Sequence, residues 1–227
     1  MVYDLLKLDY VNLGLTNEGE IMEKTTKQRI LEVSLTLFSK NSYEGVSIRE
    51  IAAAVGIKGA SIYNHFKSKE DIFQGIFKEM TKRYERLAEI LVMSTENDSA
   101  AAEHFIQLDE AQMVHLATEM FSFFAKDEFV VQFRKLLMTE QNRNLMAAKT
   151  LKNYYFDGPI QYQAGLFGKM QEKGLFLGYD AQTMALQFYS PLYYLLSRYD
   201  LEQDYDECIE ELKKHVHFYF ELYGKEN

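Results

Sequence analysis

The stretch VSIREIAAAVGIKGASIYNHFKSKEDIF, residues 46–73, has the spacing of two short helices joined by a tight turn. Ser47 and Glu50 stand three apart, which is the arrangement of a capping box at a helix start. Gly56 can adopt the positive φ that ends such a helix. With Ile62 as the apolar anchor of the second helix, the spacing predicts a helix-turn-helix. Two short helices around a glycine also occur in ordinary protein cores, so the spacing alone leaves both interpretations open.

Helical patterns flank this stretch on both sides. Apolar residues between Ile30 and Phe38 recur three and four apart, which predicts an amphipathic helix that ends at NSYEG, residues 41–45. Ser68 and Asp71 repeat the serine-x-x-acid pattern of a helix cap. The pattern therefore predicts that a long helix runs from Ser68 to about Ser94 and leads out of this region.

Charge separates the same region from the rest of the chain. Residues 24–70 carry a net charge of +4, whereas the whole 227-residue chain carries −9, so the remainder carries −13. A basic segment on an acidic body favours a polyanion as the partner of the segment. A solvated charged face is the plainer interpretation of the same charges.

Composition places the chain among globular proteins. Hydrophobic residues make up 47% and charged residues 26% of the sequence, and there are 2 prolines. The single cysteine, Cys208, rules out an internal disulfide and fits a reducing compartment. We find neither a signal peptide nor a convincing membrane span, so the sequence predicts a cytoplasmic protein with no membrane partner.

Residues 26–77, and above all the run YNHFKSKEDIF at 63–73, closely resemble the DNA-binding domain of the TetR family of bacterial transcriptional regulators. The resemblance implies an all-α fold. A three-helix DNA-binding domain with the helix-turn-helix would occupy residues 22–70, and a larger helical effector-binding and dimerisation domain residues 71–227. It also implies a homodimer that acts as a repressor on a pseudo-palindromic operator in double-stranded DNA. A small-molecule effector of unknown identity would release this dimer from the operator.

The second short helix would read the DNA. If it starts at Lys58, its outer side can enter a major groove while Ile62 stays in the core. Gly59 and Ala60 lack bulk, so the backbone can approach closely, and Ser61 can bond to several base edges. The resemblance adds backbone contacts for other residues of the region. The predicted DNA-binding set is Ser47, Lys58, Gly59, Ala60, Ser61, Tyr63, His65, Lys67 and Lys69.

Plainer roles remain open for several of these residues. Ser47 could act only as a helix cap, Tyr63 as a half-buried packing residue and His65 as a solvated histidine. The predicted recognition helix contains no arginine, so the commonest bidentate contact with guanine is absent there. Affinity for DNA is therefore expected to depend on phosphate contacts and to fall steeply with salt.

The acidic body is predicted to be helical throughout. Pro159 interrupts or restarts a helix, and Gly174 and Gly178 mark the clearest break. No alternating strand pattern competes with this interpretation. The predicted helices are 100–107, 109–125, 127–139, 142–156, 159–173, 180–198 and 205–223.

Aromatic and methionine side chains are abundant in the body and could line an apolar ligand pocket. Aromatic residues at helical spacing are more often ordinary core residues, so that alternative stays open. A hydrophobic or aromatic ligand fits such a lining, and a cationic one could be held by the tyrosines and carboxylates. The predicted pocket residues are Phe105, Met113, Phe121, Phe124, Phe133, Tyr155, Tyr162, Phe167, Tyr189 and Tyr193.

The last two predicted helices carry apolar stripes with spacings of three and four, as in a coiled-coil seam. In the family that the chain resembles, the last two helices form the dimer interface. A core stripe within one chain would show the same periodicity. The predicted interface residues are Met184, Phe188, Leu192, Leu195, Ile209, Leu212, Val216, Tyr219 and Tyr223.

The sequence gives little support to catalysis, a cofactor or a metal site. His215 and His217 point in different directions on a helix, and His115 with Glu119 supplies two ligands, too few for a metal. We predict no catalytic residues. The competing interpretations are a non-sensing structural DNA-binding protein of the same family and an enzyme with an aromatic pocket.

Residues 1–21 raise a separate question about where translation starts. NEGEI, residues 17–21, is encoded by a purine-rich run directly before Met22, as a ribosome-binding site would be. We therefore expect that translation starts at Met22 and that residues 1–21 are an upstream extension.

Overall fold

The computed structural model describes residues 24–90, 103 and 105–223. Over these residues the secondary structure is helical, without a β-strand, as the sequence predicts. The proposed upstream extension, residues 1–21, lies outside the described residues. Within them, no helix has the length and apolar character needed to cross a membrane.

Three helices form the N-terminal domain, and a fourth leads out of it. They are α1 (Thr26–Asn41), α2 (Ile48–Val55), α3 (Gly59–Ile62) and α4 (Lys69–Ile90). The expected domain boundary after residue 70 therefore falls inside α4. Residues 91–94, the expected end of this long helix, lie outside the described residues.

The body consists of the helices that follow. They are α5 (Glu110–Lys126), α6 (Glu128–Glu140), α7 (Leu145–Tyr155), α8 (Asp157–Glu172), α9 (Ala181–Glu202) and α10 (Tyr205–Tyr223). Half of the predicted helix at 100–107 lies outside the described residues, although Glu103, Phe105 and Ile106 are helical. Pro159 lies in the first turn of α8, where its missing N–H breaks no helical hydrogen bond.

Capping interactions fix the short helices of the N-terminal domain. The Ser47 amide donates to Glu50 Oε2 at 2.7 Å, and the Glu50 amide donates to the Ser47 hydroxyl at 3.3 Å. Gly56 ends α2 with a φ of +80°, which L side chains rarely adopt. Arg29 of α1 donates from Nη2 to the Val55 carbonyl at 2.7 Å and so ties α1 to the end of α2.

The N-terminal domain is joined to the body through α1 and α6. The Tyr43 amide, just after α1, donates to the buried carboxylate of Glu140 at 2.7 Å. Ser39 donates to Gln132 Oε1 at 2.6 Å. The aromatic rings of Phe73, in α4, and Tyr43 lie 4.8 Å apart beside these contacts. The two domains therefore share polar and apolar contacts in addition to the covalent link through α4.

The apolar stripes of α9 and α10 lie largely inside one chain, so six of the nine residues predicted for a dimer interface are covered within the chain itself. Side chains of α9 pack against α8 and α10, and those of α10 pack against α5. These contacts within the chain cover most of the apolar surface of the two stripes. Periodicity showed an apolar face correctly but could not show which helix covers it. Met184, Leu195, Ile209, Leu212, Val216 and Tyr219 are buried, and Phe188, Leu192 and Tyr223 are half-buried.

A different face of α9 and α10 is apolar and exposed. The two helices are antiparallel, since Phe188 packs 5.6 Å from His215 while Arg198 pairs with Glu211 at 3.0 Å. Large apolar side chains project from their outer side and are 50–85% exposed. These side chains, which we call the outer apolar face, are Leu186, Tyr194, Leu201 and Phe218.

Candidate functional site

The outer side of α3 and the turn after it form an exposed polar surface. Ile62 is fully buried and anchors this segment, whereas Tyr63 is 58% exposed. The α-helical part of this segment, Gly59–Ile62, is shorter than a typical recognition helix. Turns continue the segment through His65. Lys58, Ala60, His65 and Lys67 are also exposed, and Gly59 and Ser61 are half-buried on the same segment.

Gly59 faces open space at the start of α3. A Cβ atom placed on Gly59 would meet no heavy atom of the described residues within 4 Å. Its φ is outside the left-handed range, so neither packing nor backbone conformation within the chain requires glycine there. The absence of a side chain at Gly59 therefore leaves space in which another molecule can approach the backbone closely.

Lys69 has a structural role that sequence reasoning missed. Its Nζ donates to the carbonyls of Tyr43 and Val46 at 2.9 Å and 3.1 Å, and lies 4.3 Å from the centre of the Tyr43 ring. Lys69 therefore holds the loop between α1 and α2 against the start of α4. An ammonium group has three donors, so one remains for a phosphate.

Ser47 is engaged in the cap of α2. Its hydroxyl and amide both interact with Glu50, and hydrogen bonding from the Ser47 amide lowers the pKa of the Glu50 carboxyl. A carboxylate at this helix start competes with any phosphate. The geometry favours the capping role for Ser47 over direct DNA contact.

A cavity of about 750 Å³ lies in the body among α4, α5, α7, α8, α9 and α10. Such a volume is typical of small-molecule sites in proteins. Nine of the ten residues predicted for a pocket line this cavity. They are Phe105, Met113, Phe121, Phe124, Tyr155, Tyr162, Phe167, Tyr189 and Tyr193.

Phe133 does not line the cavity, and its assignment to the pocket is wrong. It is 1% exposed and packs with its ring centre 5.1 Å from Phe77 and 6.3 Å from Tyr154. It lies on the side of α6 that contacts α4, so it joins the core beneath the linking helix. Helical spacing could not separate this position from that of Phe124 on the neighbouring α5.

Several cavity residues escaped sequence reasoning. Tyr84 belongs to the linking helix α4, and Gln163 is a polar residue on α8. Other lining residues belong to the stripe assigned to the dimer interface: Phe188, Leu192, Tyr219 and Tyr223. A single glutamine on a helix gives no sequence signal of a cavity, so Gln163 is recognised only from its surroundings in the structure.

The cavity lining is apolar and almost free of charge. Among the described residues, no Asp or Glu lines it, and its one cationic side chain, Lys173, pairs with Glu103 at 3.0 Å. Burial raises the pKa of the Tyr189 and Tyr219 hydroxyls above the ordinary value, so both stay protonated. Tyr189 donates to the Tyr155 carbonyl at 3.0 Å.

A buried ion pair fixes the helices around one side of the cavity. Arg134 of α6 is 2% exposed and makes two hydrogen bonds to the Asp200 carboxylate of α9, at 2.6 Å and 2.9 Å. The same guanidinium donates to the Phe124 carbonyl of α5 at 2.7 Å. The pair therefore links three helices, and Phe124 of this group lines the cavity.

One helix connects the exposed surface to the cavity. Lys69, at the start of α4, contacts the N-terminal domain, and Tyr84 of the same helix lines the cavity. Arg83, next to Tyr84, pairs with Asp127 at the junction of α5 and α6 at 2.9 Å. The helix α4 therefore takes part both in the contacts with the N-terminal domain and in the cavity wall.

The side chains of the described residues give no sign of a metal centre. No group of three or more His, Cys, Asp or Glu among them is placed to hold a metal ion. His115 and Glu119 lie 4.0 Å apart as a pair on α5.

Comparison with known proteins identifies the N-terminal region. Residues 30–76 match the family described as bacterial regulatory proteins, tetR family. The transcriptional regulator AcrR of Shigella flexneri is 45% identical over 53 residues, which are 23% of this chain and 25% of AcrR. IcaR of Staphylococcus aureus, a negative transcriptional regulator of a biofilm operon, is 44% identical over 48 residues, 21% of this chain and 26% of IcaR. The matched stretch thus spans about a quarter of each relative.

Solved structures extend the likeness of fold over most of the chain. The complex of SmeT, the repressor of a Stenotrophomonas maltophilia multidrug efflux pump, with triclosan superimposes with a TM-score of 0.64. The match covers 90% of this chain and 94% of SmeT at 13% identity, which shows a shared fold. The matching family and these named relatives are all regulators rather than enzymes. The N-terminal domain thus matches the tetR family of bacterial regulatory proteins, and the helical architecture of the chain is similar to that of the SmeT structure.

Proposed function

We propose that this protein is a ligand-responsive transcriptional regulator that binds a pseudo-palindromic operator as a homodimer and represses until an effector enters the cavity. One observation carries the proposal: α4 contacts the N-terminal domain through Lys69 and lines the cavity through Tyr84. An effector that binds more tightly when α4 is in one position than in another shifts the distance between the two N-terminal DNA-binding domains, or heads, of the dimer. The protein would act in the cytoplasm, where the DNA is.

Support for the DNA side comes from the exposed segment around α3. Tyr63, His65 and Lys67 project from it, and Gly59 leaves room for close approach to a groove or phosphate. A four-residue helix makes few base contacts, so a single head binds weakly. Two heads about 34–36 Å apart would read successive major grooves of a two-fold symmetric site.

The outer apolar face of α9 and α10 is the surface that we propose for dimerisation. Its side chains project from two adjacent antiparallel helices of a chain whose core is already complete. Contiguous exposed apolar residues on neighbouring helices are typical of a protein interface. A two-fold axis between the helix pairs would bury the face against its own copy and set the spacing of the heads.

The cavity favours a sensing role over a purely structural one. A non-sensing DNA-binding protein has no use for about 750 Å³ of space in its body, whereas an effector site needs it. The related fold of SmeT holds triclosan, an aromatic compound. We therefore propose a small hydrophobic or aromatic effector for this chain.

Fluorescence anisotropy on DNA from upstream of the protein's own gene tests the proposal. We expect the full-length dimer to prefer this DNA over a scrambled duplex across a salt series. Tyr63→Ala should weaken binding to both duplexes, because it removes a contact with the DNA backbone. Leu145→Ala, at an exposed residue outside both the DNA-binding surface and the cavity lining, is the control. Salt-sensitive binding without preference would support a structural DNA-binding protein, and no binding at low salt would refute the proposal.

A further inference from the structure

Gln163 places an unsatisfied acceptor in the wall of the cavity. Its side-chain oxygen Oε1 is buried and accepts no hydrogen bond from the described residues. A buried acceptor without a donor destabilises the protein, and a bound molecule that donates a hydrogen bond to it would remove this cost. The last torsion of a glutamine is broad, so the amide can turn its oxygen toward the cavity at little cost.

The charge of the lining restricts the partner. Among the described residues no carboxylate lines the cavity, and Lys173 is already paired with Glu103. A charged occupant would lose its water without gaining a counter-charge, which is strongly unfavourable. The same lining accepts an uncharged molecule without this penalty.

Aromatic rings define the shape that fits. The rings of Phe167 and Tyr219 are stacked with centres 6.0 Å apart, and those of Phe124 and Tyr155 meet edge to face at 5.6 Å. All four residues line the cavity. Flat rings of an occupant can add to both kinds of contact.

We propose that the effector is an uncharged, ring-bearing compound with a hydroxyl group, and that Gln163 selects it by accepting the hydroxyl hydrogen bond. This inference rests on the proposed function, in which the cavity is the effector site. It makes Gln163 the residue that determines specificity for the polar end of the ligand. Hydroxyl compounds are thereby distinguished from ethers of the same shape, which cannot donate.

A matched series of probes tests the inference on the full chain without DNA. The series is phenylnaphthalene and its hydroxy, methoxy, carboxylate and trimethylammonium derivatives, titrated by probe fluorescence and calorimetry. We expect the hydroxy probe to bind about five- to tenfold more tightly than the methoxy probe, as one net hydrogen bond provides. The two charged probes should bind at least about tenfold more weakly than the hydroxy probe.

Substitutions then assign the preference to Gln163. In Gln163→Leu the hydroxy and methoxy probes should bind equally, because the acceptor is gone. Gln163→Met, which keeps the length of the side chain, guards against a folding defect in the leucine variant, and circular dichroism checks both. Gln161→Leu, an exposed glutamine on α8 outside the cavity, is the matched control and should keep the preference.

Three results would overturn the inference. They are an unchanged hydroxyl preference in folded Gln163 variants, tight binding of the trimethylammonium probe by the tyrosines, and no probe binding by a chain that binds its DNA. The last result leaves the DNA-binding part of the proposed function standing. Conversely, the expected probe series in a chain that ignores operator DNA would support the ligand class and refute the regulator.

Discussion

The guanidinium of Arg83 lies 2.9 Å from Asp127 Oδ2, while the other oxygen of that carboxylate accepts the Val130 amide that opens α6. One buried side chain thus caps a helix of the body and holds the linking helix α4. Arg83 also lies 4.6 Å from the centre of the Phe129 ring. Contact between α4 and the body is therefore specific at this point, not a general apolar packing.

Removal of Arg83 should destabilise the protein, because it leaves the nearly buried carboxylate of Asp127 without a cationic partner. We expect Arg83→Ala to lower the free energy of unfolding by about 2–4 kcal/mol in urea denaturation. Arg86→Ala, an exposed arginine on the same helix, should change it by less than about 0.5 kcal/mol. Equal effects of the two substitutions would show that the Arg83–Asp127 pair does not hold α4.

Lys67, just before α4, and Lys69, its first residue, should separate phosphate binding from structural support. Lys67→Ala removes an exposed charge, so it should reduce the slope of log affinity against log salt by about one unit without changing stability. Lys69→Ala also removes the hydrogen bonds to Tyr43 and Val46, so it should cost about 1–2 kcal/mol of stability. An unchanged slope in both variants would exclude phosphate contacts here.

Gly59 should show opposite effects on folding and on binding. Gly59→Ala meets open space, so we expect thermal stability to stay the same or to rise by up to about 1 kcal/mol. Binding to operator DNA should weaken about tenfold, because the methyl group fills the approach to the groove. Gly45→Ala is the contrasting control and should lower thermal stability, since its Cβ would lie 2.2 Å from the Asn41 carbonyl oxygen. Unimpaired binding by Gly59→Ala would remove this residue from the interface.

Exposed and buried apolar residues of the last two helices should respond differently to substitution. We expect Tyr194→Glu with Phe218→Glu to sediment as a folded monomer, because both side chains are exposed in one chain. Leu212→Ala should instead lower the unfolding free energy by about 2–5 kcal/mol, since it empties a core position. Leu145→Glu, at an exposed leucine on α7, should leave the dimer intact. A dimer that survives the double glutamate variant would place the interface elsewhere.

Two histidines of α10 should give opposite dependences of stability on pH. Hydrogen bonding to Glu110 raises the pKa of His217 above 6.5, so its stabilisation is complete below that pH and lost as pH rises through the raised pKa. Burial lowers the pKa of His215, so folding must keep it neutral and stability falls as pH drops below 6.5.

Thermal unfolding between about pH 6 and about pH 8 checks the His217 effect. His217→Gln and Glu110→Gln should each flatten the loss of stability toward alkaline pH. Glu221→Gln should have a smaller effect, because its carboxylate lies 3.8 Å from the ring, against 2.6 Å for Glu110. A full alkaline loss in His217→Gln would assign it to another group.

Local patterns predicted the N-terminal domain well because short-range chemistry determines it. The cap formed by Ser47 and Glu50 and the left-handed Gly56 depend on residues within a few positions of each other. The roles of Lys69 and Leu212 depend instead on residues that are distant in sequence and contact them in the folded chain. The carbonyls that bind Lys69 are more than twenty residues away along the chain, and Leu212 is covered by other helices.

The sequence predicted which types of residue line the cavity but not which individual residues do so. Aromatic residues at helical spacing occur in the lining and in the solid core alike, as Phe124 and Phe133 show. Whether a ring borders empty space depends on the angles between helices, which no single-helix pattern contains. Gln163 became informative only when its neighbours were known.

Because the apolar stripes of α9 and α10 are used within one chain, each subunit has a complete core before it meets a partner. In the homodimer that we propose, pairing through the outer apolar face would be a second equilibrium, separate from folding. At low abundance, folded single subunits would accumulate, and occupancy of the operator would rise with the square of protein concentration. A cell could thus tune the sharpness of control by the amount of protein made, apart from any effector.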